Sequence, residues 1–498
     1  HDAHTVRVPM AGEAVSDVVS GAAPAVVDGC AEAFLWPLGT AVLHFHKQRR
    51  LQEPLEPGMG VLCHVTSLPN EGGPGTLGAP ARRFVDWLAE CGQTYWQVLP
   101  VNPADGYGSP YAGLAAFAGN TCLLEKDPED VLAELKDADD DPDYQAFLEK
   151  NKYWLTPYAT FRAIKDLLGE GPWQEWPDAY ARFSPGLARR VELADGVDRH
   201  RKLQYEFQRE WDELRAYANA RGIKIVGDMP MYVSGDSADV WAERDIFELD
   251  ERGYAQVQAG CPGDGFDPEG QLWGNPTYRW DVLAARGYDW WLARLERAVK
   301  TYDYVRLDHF IGFSSYYKIA KGKPAREGSF SFGPGLDLFR AAYQKLGPLP
   351  FIAEDLGVIT PAVRALIAET GIPGMDIVQF SDGDVREGYE PKPGTVTFTG
   401  THDNQTLLGF CQSRFGLEGQ EATQMADRIA ASVLASKNDV AIMPLQDVLG
   451  LDDAARMNVP GVAEGNWSWQ AAWEDVVAAT GRLAQMAQAS GRFREASA

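Results

Sequence analysis

The sequence predicts an α/β protein built on a closed barrel of eight parallel strands. Eight short apolar runs lie along residues 58–443, and segments with helical spacing separate most of them. The chain contains no Gly-rich dinucleotide or phosphate loop, which argues against a doubly wound sheet. Eight strands alternating with helices are typical of a (β/α)8 TIM barrel, and 498 residues fit such a barrel with insertions.

The strand predictions rest on short apolar, often β-branched runs that end at polar or turn-forming residues. Helical spacing predicts helices at Ala79–Cys91, Tyr288–Lys300, Leu336–Leu346 and Pro361–Thr370. The eight predicted strands are Gly60–Val65, Thr94–Leu99, Ile223–Asp228, Tyr304–Asp308, Phe351–Glu354, Met375–Phe380, Val396–Thr401 and Val440–Met443.

The spacing of these elements predicts the domain organisation. Residues 1–57 form an extension whose role the sequence leaves open, and residues 58–498 form the barrel. A largely helical subdomain is expected at 103–220, where the strand–helix alternation is interrupted. A second insertion at 230–285 is expected to carry a lid, for which the Gly- and Pro-rich stretch from Gly260 to Pro276 is the candidate.

Charge and composition exclude several classes of partner. The 46 Lys and Arg residues against 71 Asp and Glu residues give a net charge of −25, which repels nucleic acid and anionic membranes. A neutral substrate suits such a chain better. The apolar run from Ala33 to Phe45 is too short and too broken to span a bilayer, and no basic segment precedes it, so we expect neither a membrane span nor a signal peptide.

The cysteines and histidines predict no metal and no cofactor. Six cysteines occur without a C-x-x-C pair, so we expect reduced thiols and a cytoplasmic location. His44 and His46 share one face of a possible strand but lack a nearby third ligand. The acidic run 137–143 has Pro142 and Leu148 where a calcium loop needs Gly and Glu, so a solvated loop is the better reading.

Three predicted strands end in acids that can share one pocket. Asp308 and Glu354 end their strands, and Asp403 follows the strand that ends near Thr401. The C-terminal ends of barrel strands meet on one face, which is where such enzymes keep their chemistry. Cleavage of an acetal with retention needs one carboxylate as nucleophile and a second as acid/base, roughly 5 Å apart. Taken singly, each acid could instead be a barrel-end salt bridge or a helix cap.

The two catalytic roles require different protonation states. A general acid must keep its proton near neutral pH, so burial or nearby negative charge must raise the pKa of Glu354. Asp355, Asp308 and Asp403 could supply that charge. Arg306 precedes Asp308 by two residues, lies on the same strand face and would keep that acid ionised.

The motifs around these acids resemble a known enzyme family. Arg306–Phe310 reads RLDHF, Ala353–Gly357 reads AEDLG, and Thr399–Asn404 reads TGTHDN. They are similar to the catalytic signatures of the 4-α-glucanotransferases called amylomaltases or disproportionating enzymes, a branch of the α-amylase clan. The resemblance covers roughly residues 58–475 in order, and further similar motifs are Thr66–Pro69, Tyr95–Pro100, Ser109–Tyr111, Ala116–Asn120, Ser237–Trp241, Gly270–Pro276, Pro444–Gly450 and Ala455–Asn458.

The resemblance implies a double-displacement transfer of α-1,4-glucan segments from a donor maltooligosaccharide to an acceptor glucan or glucose. By matching position, Asp308 would be the nucleophile that forms the covalent glucosyl-enzyme intermediate, and Glu354 the acid/base. Asp403 would hold the sugar in an oxocarbenium-like geometry, with Arg306 and His402 beside it.

The resemblance also implies a set of substrate-binding residues. Tyr111 would stack on the sugar at the cleavage point, and Trp273 and Asn275 would line acceptor subsites. Asp228, at the end of the third strand, and Asp355, beside Glu354, complete the predicted set. The resemblance carries no metal site and no cofactor, and it leaves the oligomeric state open.

Several positions depart from the family pattern without touching the three acids. Two other functions stay open at this point: an amylase-type hydrolase with the same acids, and a glucan-binding protein of weak catalysis. The departures, which bear on acceptor preference and on the balance of transfer and hydrolysis, are Ile311, Gly263, Asp267, Phe330, Gln405 and Gln470.

Overall fold

The computed structural model describes residues 4–9, 14–17, 25–27, 30–35, 43–46, 51–263, 269–462 and 464–495. In chain order the strands of these segments are β1 (His4–Pro9), β2 (Ala14–Asp17), β3 (Ala25–Val27), β4 (Cys30–Leu35), β5 (Leu43–His46), β6 (Gly58–Leu62), β7 (Tyr95–Gln97), β8 (Lys224–Met229), β9 (Val257–Cys261), β10 (Gln271–Pro276), β11 (Tyr304–Leu307), β12 (Ser315–Ala320), β13 (Ser329–Phe332), β14 (Phe351–Ala353), β15 (Met375–Ile377), β16 (Val396–Phe398) and β17 (Val440–Pro444).

The α-helices of the described residues lie mainly between and after the strands. They are α1 (Ala79–Glu90), α2 (Pro128–Glu134), α3 (Pro142–Leu168), α4 (Val191–Ala220), α5 (Ala238–Ala242), α6 (Trp280–Ala285), α7 (Asp289–Thr301), α8 (Leu336–Leu346), α9 (Pro361–Thr370), α10 (Leu407–Phe415), α11 (Gly419–Leu434), α12 (Leu445–Leu449), α13 (Trp473–Ala478) and α14 (Thr480–Ala489).

Eight parallel strands form the barrel, which confirms the predicted fold class. Their spatial order is β14-β11-β8-β7-β6-β17-β16-β15, so each strand lies beside its neighbours in the chain order of the barrel. The ring closes between the first and last of these strands, where the Ala353 N–H donates to Pro373 O at 2.8 Å. Each of the eight apolar runs overlaps one barrel strand, although β6 begins two residues before the predicted Gly60 and β16 ends three residues before the predicted Thr401. Strand β15 passes into a 3-10 turn at Val378–Phe380.

Alternation along the strands decides which side chains enter the barrel. In β11, Val305 and Leu307 belong to the core between strands and helices, whereas Tyr304 belongs to a separate apolar cluster with residues of the other barrel strands. Arg306 has the same parity as Tyr304 and is also buried. The same alternation therefore carries Asp308, the next residue of that parity, toward the barrel axis at the end of the strand.

The helices follow from amphipathic spacing and local capping. In α1, the predicted stripe of Phe84, Trp87 and Leu88 is buried. Helix α9 begins with Pro361, where a missing N–H costs nothing, and the Thr360 side chain accepts a hydrogen bond from Val363 N. It ends at Gly371, whose φ of 70° is a conformation that favours glycine.

Two insertions interrupt the barrel. Helices α2, α3 and α4 lie between β7 and β8, and an ion pair of 2.8 Å from Lys165 Nζ in α3 to Asp236 ties this part to the loop after β8. Strands β10, β9, β12 and β13 form an antiparallel sheet whose members follow β8 and β11. The division into an extension, a helical subdomain and a lid region stays a prediction.

The segment before the barrel contributes short antiparallel strands. Strands β1, β4 and β3 form one sheet, and β2 pairs with β5. His44 and His46 lie in β5, but their side chains are outside the described residues. Among the residues that are described, no cluster of His, Cys, Asp and Glu is arranged to hold a metal ion. The helices described here also include none long and apolar enough to cross a membrane.

Candidate active site

Arg306 joins two carboxylates at the C-terminal end of the barrel. Its Nη1 atom donates to both oxygens of Asp228, at 2.9 and 2.7 Å, and to Asp308 Oδ1 at 3.0 Å. Asp228 is the penultimate residue of β8, beside β11, and its Cα partner in the parallel register is Arg306. Burial raises the pKa of Asp228 and Arg306 opposes that rise, so a single cation ties these two acids together on neighbouring strands.

Glu354 is held in a position that favours its protonated form. It follows β14, and burial raises its pKa to about 8 against the opposing charge of Arg306, while Asp308 adds to the rise. The His309 N–H donates to Glu354 Oε2 at 2.7 Å, and the Leu356 N–H donates to Oε1 at 3.3 Å. His309 has a φ of 49°, uncommon for a residue other than glycine, and this backbone conformation accompanies the contact with Glu354.

Asp403 has the opposite electrostatic environment. Burial alone would raise its pKa, but His402, Asn458 and Arg306 hold the pKa of Asp403 well below its usual range. His402 Nε2 lies 3.2 Å from Asp403 Oδ2, and Asn458 Nδ2 donates to Oδ1 at 2.6 Å. Arg456 also donates to the backbone oxygen of Asp403 at 3.0 Å. The three strand-end acids therefore share one region while two of them are driven toward opposite protonation states.

Aromatic rings gather beside these acids. Tyr111 donates to Asp228 Oδ2 at 2.8 Å, and its ring is stacked against His402 at a centroid distance of 5.1 Å. The ring of Trp467 lies 5.8 Å from Tyr111 and 5.9 Å from His402. The three rings therefore form one continuous aromatic surface beside the acids.

Trp273 and Asn275 lie on strand β10 of the antiparallel sheet. The Trp273 ring contacts His309 edge to face at 4.9 Å and is 36% exposed, so it remains accessible next to the residue that holds Glu354. Tyr232 lies 6.1 Å from both of these rings. Asn275 donates to the backbone oxygen of Val233 at 2.9 Å, a bond that anchors β10 to the loop after β8.

Asp355 has a different environment from its neighbour Glu354. Its Oδ1 atom accepts a hydrogen bond of 2.8 Å from the Met375 N–H at the start of β15. Burial raises the pKa of Asp355, and this backbone bond opposes the rise. A Cβ atom on Gly374 would lie only 2.5 Å from the Asp355 carboxylate, so the backbone just before β15 packs closely against this carboxylate. The contacts of Asp355 thus join β14 to β15, and its role toward substrate stays a prediction.

Several residues of the site were not singled out from the sequence. Asn458, Arg456 and Trp467 contact Asp403 or its aromatic neighbours, yet they lie more than fifty residues further along the chain. His64 follows β6 and is buried, and burial together with His402 lowers its pKa to about 3. The sequence feature that pointed to this region was the motif Ala455–Asn458, which is similar to the family pattern. It indicates the segment, but it does not indicate that Arg456 and Asn458 contact Asp403.

The described positions that depart from the family pattern have different environments. Gln405 donates to Asp453 Oδ2 at 2.6 Å, and Gln470 donates to the backbone oxygens of Thr66 and Gly73. Phe330 is 58% exposed on β13. Ile311 is half-buried and Gly263 is exposed, whereas Asp267 lies outside the described residues. Gln405 and Gln470 therefore still make side-chain hydrogen bonds where they depart from the pattern.

Comparisons with known proteins agree with this fold. A family model described as 4-alpha-glucanotransferase matches residues 63–139 and 128–474. A 4-alpha-glucanotransferase of Streptococcus pneumoniae is 40% identical over 467 residues, which cover 82% of this chain and 92% of the relative. One from Thermus thermophilus is 38% identical over 497 residues, covering 87% of this chain and 99% of that protein.

A solved structure extends the similarity to three dimensions. The amylomaltase of Streptococcus agalactiae in complex with acarbose is 34% identical, with a TM-score of 0.79, and the match covers 88% of this chain and 100% of that one. The barrel and these similarities define a transferase that acts on α-1,4-glucans. The chain belongs to the 4-alpha-glucanotransferase family.

Proposed function

We propose that this family member transfers segments of α-1,4-glucan from a donor maltooligosaccharide to the 4-hydroxyl of an acceptor glucan or glucose, with Asp308, Glu354 and Asp403 as its catalytic groups. The observation that carries the assignment of roles is the pair of opposite pKa shifts. Burial raises the pKa of Glu354 to about 8, while its polar neighbours hold the pKa of Asp403 well below the usual range. One acid keeps a proton at neutral pH and the other is a carboxylate.

In the first half-reaction, the Asp308 carboxylate attacks the anomeric carbon of the donor. The bond from that carbon to the leaving oxygen breaks, and the oxygen takes the proton of Glu354. The positive charge that develops on the sugar ring is stabilised by the Asp403 carboxylate. The hydrogen bond of 3.0 Å from Arg306 to Asp308 Oδ1 leaves Oδ2 as the attacking atom.

In the second half-reaction, an acceptor hydroxyl replaces the departed sugar. Glu354, now a carboxylate, removes the proton of that hydroxyl. The hydroxyl oxygen attacks the anomeric carbon, and the bond from that carbon to Asp308 breaks. The aromatic cluster of Trp273, Tyr232 and His309 lies beside Glu354 and offers an acceptor sugar an apolar surface. A well-bound acceptor outcompetes water, and transfer then exceeds hydrolysis.

The substrate contacts follow the same geometry. Tyr111, Trp467 and His402 form the platform for the sugar at the cleavage point. Asp228 is paired with both Tyr111 and Arg306, so it orients these two side chains toward the substrate. Trp273 remains accessible for an acceptor sugar.

The test is incubation of the purified protein with maltotriose and separation of the products by size. Transfer predicts glucose together with a ladder of longer maltooligosaccharides, without a net gain in reducing ends. Asp308→Asn removes the ladder, while Asp384→Asn, which removes a carboxylate paired with Arg386 outside the site, keeps it. Glucose and maltose alone, with rising reducing ends, would instead identify a hydrolase, and binding without turnover would identify a glucan-binding protein.

The same proposal includes a cytoplasmic location and a neutral glucan partner rather than nucleic acid or membrane. Cys63, Cys91 and Cys411 are buried thiols, and burial raises the pKa of each, which keeps them in the unreactive thiol form. Such thiols suit a reducing compartment. Cell fractionation with an antibody against the protein tests this part, and recovery in a secreted or membrane fraction would contradict it.

A further inference from the structure

A second cavity lies beside the barrel, between the helical insertion and the loops after β7 and β8. It has a volume of about 260 Å3 and is lined by four separate segments of the chain. Helix α3 contributes Tyr153 and Trp154, helix α7 contributes Trp290, and the loop after β7 contributes Phe117. None of the residues assigned to the catalytic site lines it.

The walls of this cavity are aromatic. Phe117 contacts Tyr153 at a centroid distance of 5.6 Å and Trp290 at 5.8 Å, both edge to face. Trp154 and Trp290 are almost fully buried, whereas Tyr153 is 55% exposed and forms the mouth. Rings arranged in this way present flat apolar surfaces, on which the C–H face of a sugar stacks.

The remaining wall offers the hydrogen-bonding groups of three carboxyls, Asp239, Glu243 and Asp289, and of the Arg286 guanidinium. Asp239 Oδ2 accepts from the Ala116 N–H at 2.7 Å. Arg286 donates to Glu243 Oε2 at 3.0 Å and to Asp289 Oδ1 at 3.0 Å. Burial raises the pKa of Asp239 to about 6, which leaves this carboxyl mostly ionised at neutral pH, so the wall carries a net negative charge. A neutral polyol fits such a wall better than an anion does.

We propose that this cavity is an accessory site for one glucose unit at the end of an α-1,4-glucan chain. The size supports one hexose, since 260 Å3 equals the space of roughly nine bulk waters at about 30 Å3 each. The ligand class rests on the proposed function, because the substrate of the catalytic site is itself a neutral glucan. The accessory site makes a long glucan bivalent, which raises its effective concentration at the catalytic site.

The location links the accessory site to the catalytic loops. Phe117 lies six residues after Tyr111 on the same loop, and Asp239 follows the loop that begins at the end of β8. The bond from the Ala116 N–H to Asp239 joins these two loops directly. A glucan that occupies the cavity therefore lies against the segments that carry Tyr111 and Asp228.

The experiment compares transfer kinetics on a long and a short substrate. Tyr153→Ala is expected to raise the KM for soluble amylose roughly tenfold, the effect of losing one aromatic stacking surface. The KM for maltotriose and both kcat values are expected to stay unchanged, because we expect three glucose units to occupy the catalytic site alone. Tyr153→Phe keeps the ring and restores the KM for amylose.

Two further variants keep the test sharp. Ala242→Phe fills the cavity from helix α5 and is expected to raise the KM for amylose as Tyr153→Ala does. Phe332→Ala removes another exposed ring, 86% exposed on β13 and outside the cavity, and is expected to leave that KM unchanged. Wild-type KM values for amylose in both cavity variants, or an equal rise with Phe332→Ala, would overturn the proposal.

Amylose binding by the inactive protein separates this proposal from the catalytic one. In native gels containing amylose, Asp308→Asn is expected to be retarded more strongly than the double variant Asp308→Asn/Tyr153→Ala. If the wild type fails to disproportionate maltotriose while this difference persists, the proposed function fails and the accessory site stands. If transfer is intact and the two inactive proteins are retarded equally, the accessory site fails alone.

Discussion

Asn458→Ala tests whether a residue outside the catalytic motifs controls one of the acids. Asn458 Nδ2 donates to Asp403 Oδ1 at 2.6 Å. A hydrogen bond to a charged group contributes about 1.5–3 kcal/mol. The Asp403 side chain is 44% exposed, so water replaces part of the lost bond and the lower half of this range applies. At about 1.4 kcal/mol per decade, kcat/KM should fall roughly tenfold to fortyfold.

The assay is steady-state disproportionation of maltotriose, with glucose release as the readout. Because Asp403 acts on the charge that develops in the transition state, kcat should fall with little change in KM. Asn466→Ala is the matched control, since the hydrogen bonds of the Asn466 side chain to described residues are all with the backbone of the same loop, at Val459 N and Val462 O. It should keep kcat/KM within about twofold.

Thermal unfolding of both variants separates the effect on the acid from a general loss of structure. We expect the two melting temperatures to differ little, because each change removes one side-chain amide from the surface loop. If Asn458→Ala retains wild-type kcat/KM, the hydrogen bond from Asn458 to Asp403 does not contribute to catalysis. An equal fall in Asn466→Ala would show that loop order, and not the contact with Asp403, controls the rate.

Three further predictions follow from burial, charge and stacking. Since burial raises the pKa of Glu354 to about 8, the rate of donor cleavage should fall as the pH rises through 8 and this acid loses its proton. A maltosyl fluoride donor, whose leaving group needs no proton, should show no such fall. The same fall with both donors would contradict the role of Glu354 as general acid. Lys165→Met leaves Asp236 without the ion-pair partner that lies 2.8 Å away, and it should lower the free energy of unfolding by about 3 kcal/mol in urea titration. The double variant Lys165→Met/Asp236→Asn should recover part of that loss. An unchanged unfolding midpoint in Lys165→Met would refute the argument that loss of this buried ion pair destabilises the fold. Trp467→Ala should raise the KM for maltotriose roughly tenfold, whereas Trp467→Phe should keep this KM close to the wild-type value. Equal KM values for the two variants would exclude stacking of the ring on the sugar as the cause.

The barrel was predictable because its signals are local. Each strand is a short apolar run that a polar residue or turn ends, and all eight runs overlap a barrel strand. The position of Arg306 relative to Asp308 was also predictable, since side chains two residues apart on a strand share a face. Their bond of 3.0 Å agrees with that expectation.

The partners of the acids could not be read in the same way. Asn458 is fifty-five residues from Asp403, and no periodicity relates the two. Asp355 follows Glu354 directly in sequence, yet the two carboxylates have different partners. The Asp355 carboxylate accepts a hydrogen bond from the backbone at the start of β15, whereas the Glu354 carboxylate accepts one from the His309 N–H. Which neighbour an acid contacts depends on loop paths that are fixed only when the barrel closes.

The sequence by itself therefore determined the strands, their order and the three acids at their ends, because strand alternation and motif identity are properties of neighbouring residues. The tertiary structure decided the protonation states and the binding surfaces. Burial raises the pKa of Glu354 against the opposing charge of Arg306, whereas His402, Asn458 and Arg306 lower the pKa of Asp403 against the effect of burial. Arg306 lies far from both acids in the chain. Burial and long-range charge exist only in the folded protein, and for that reason the chemistry of these acids had to be read from the structure.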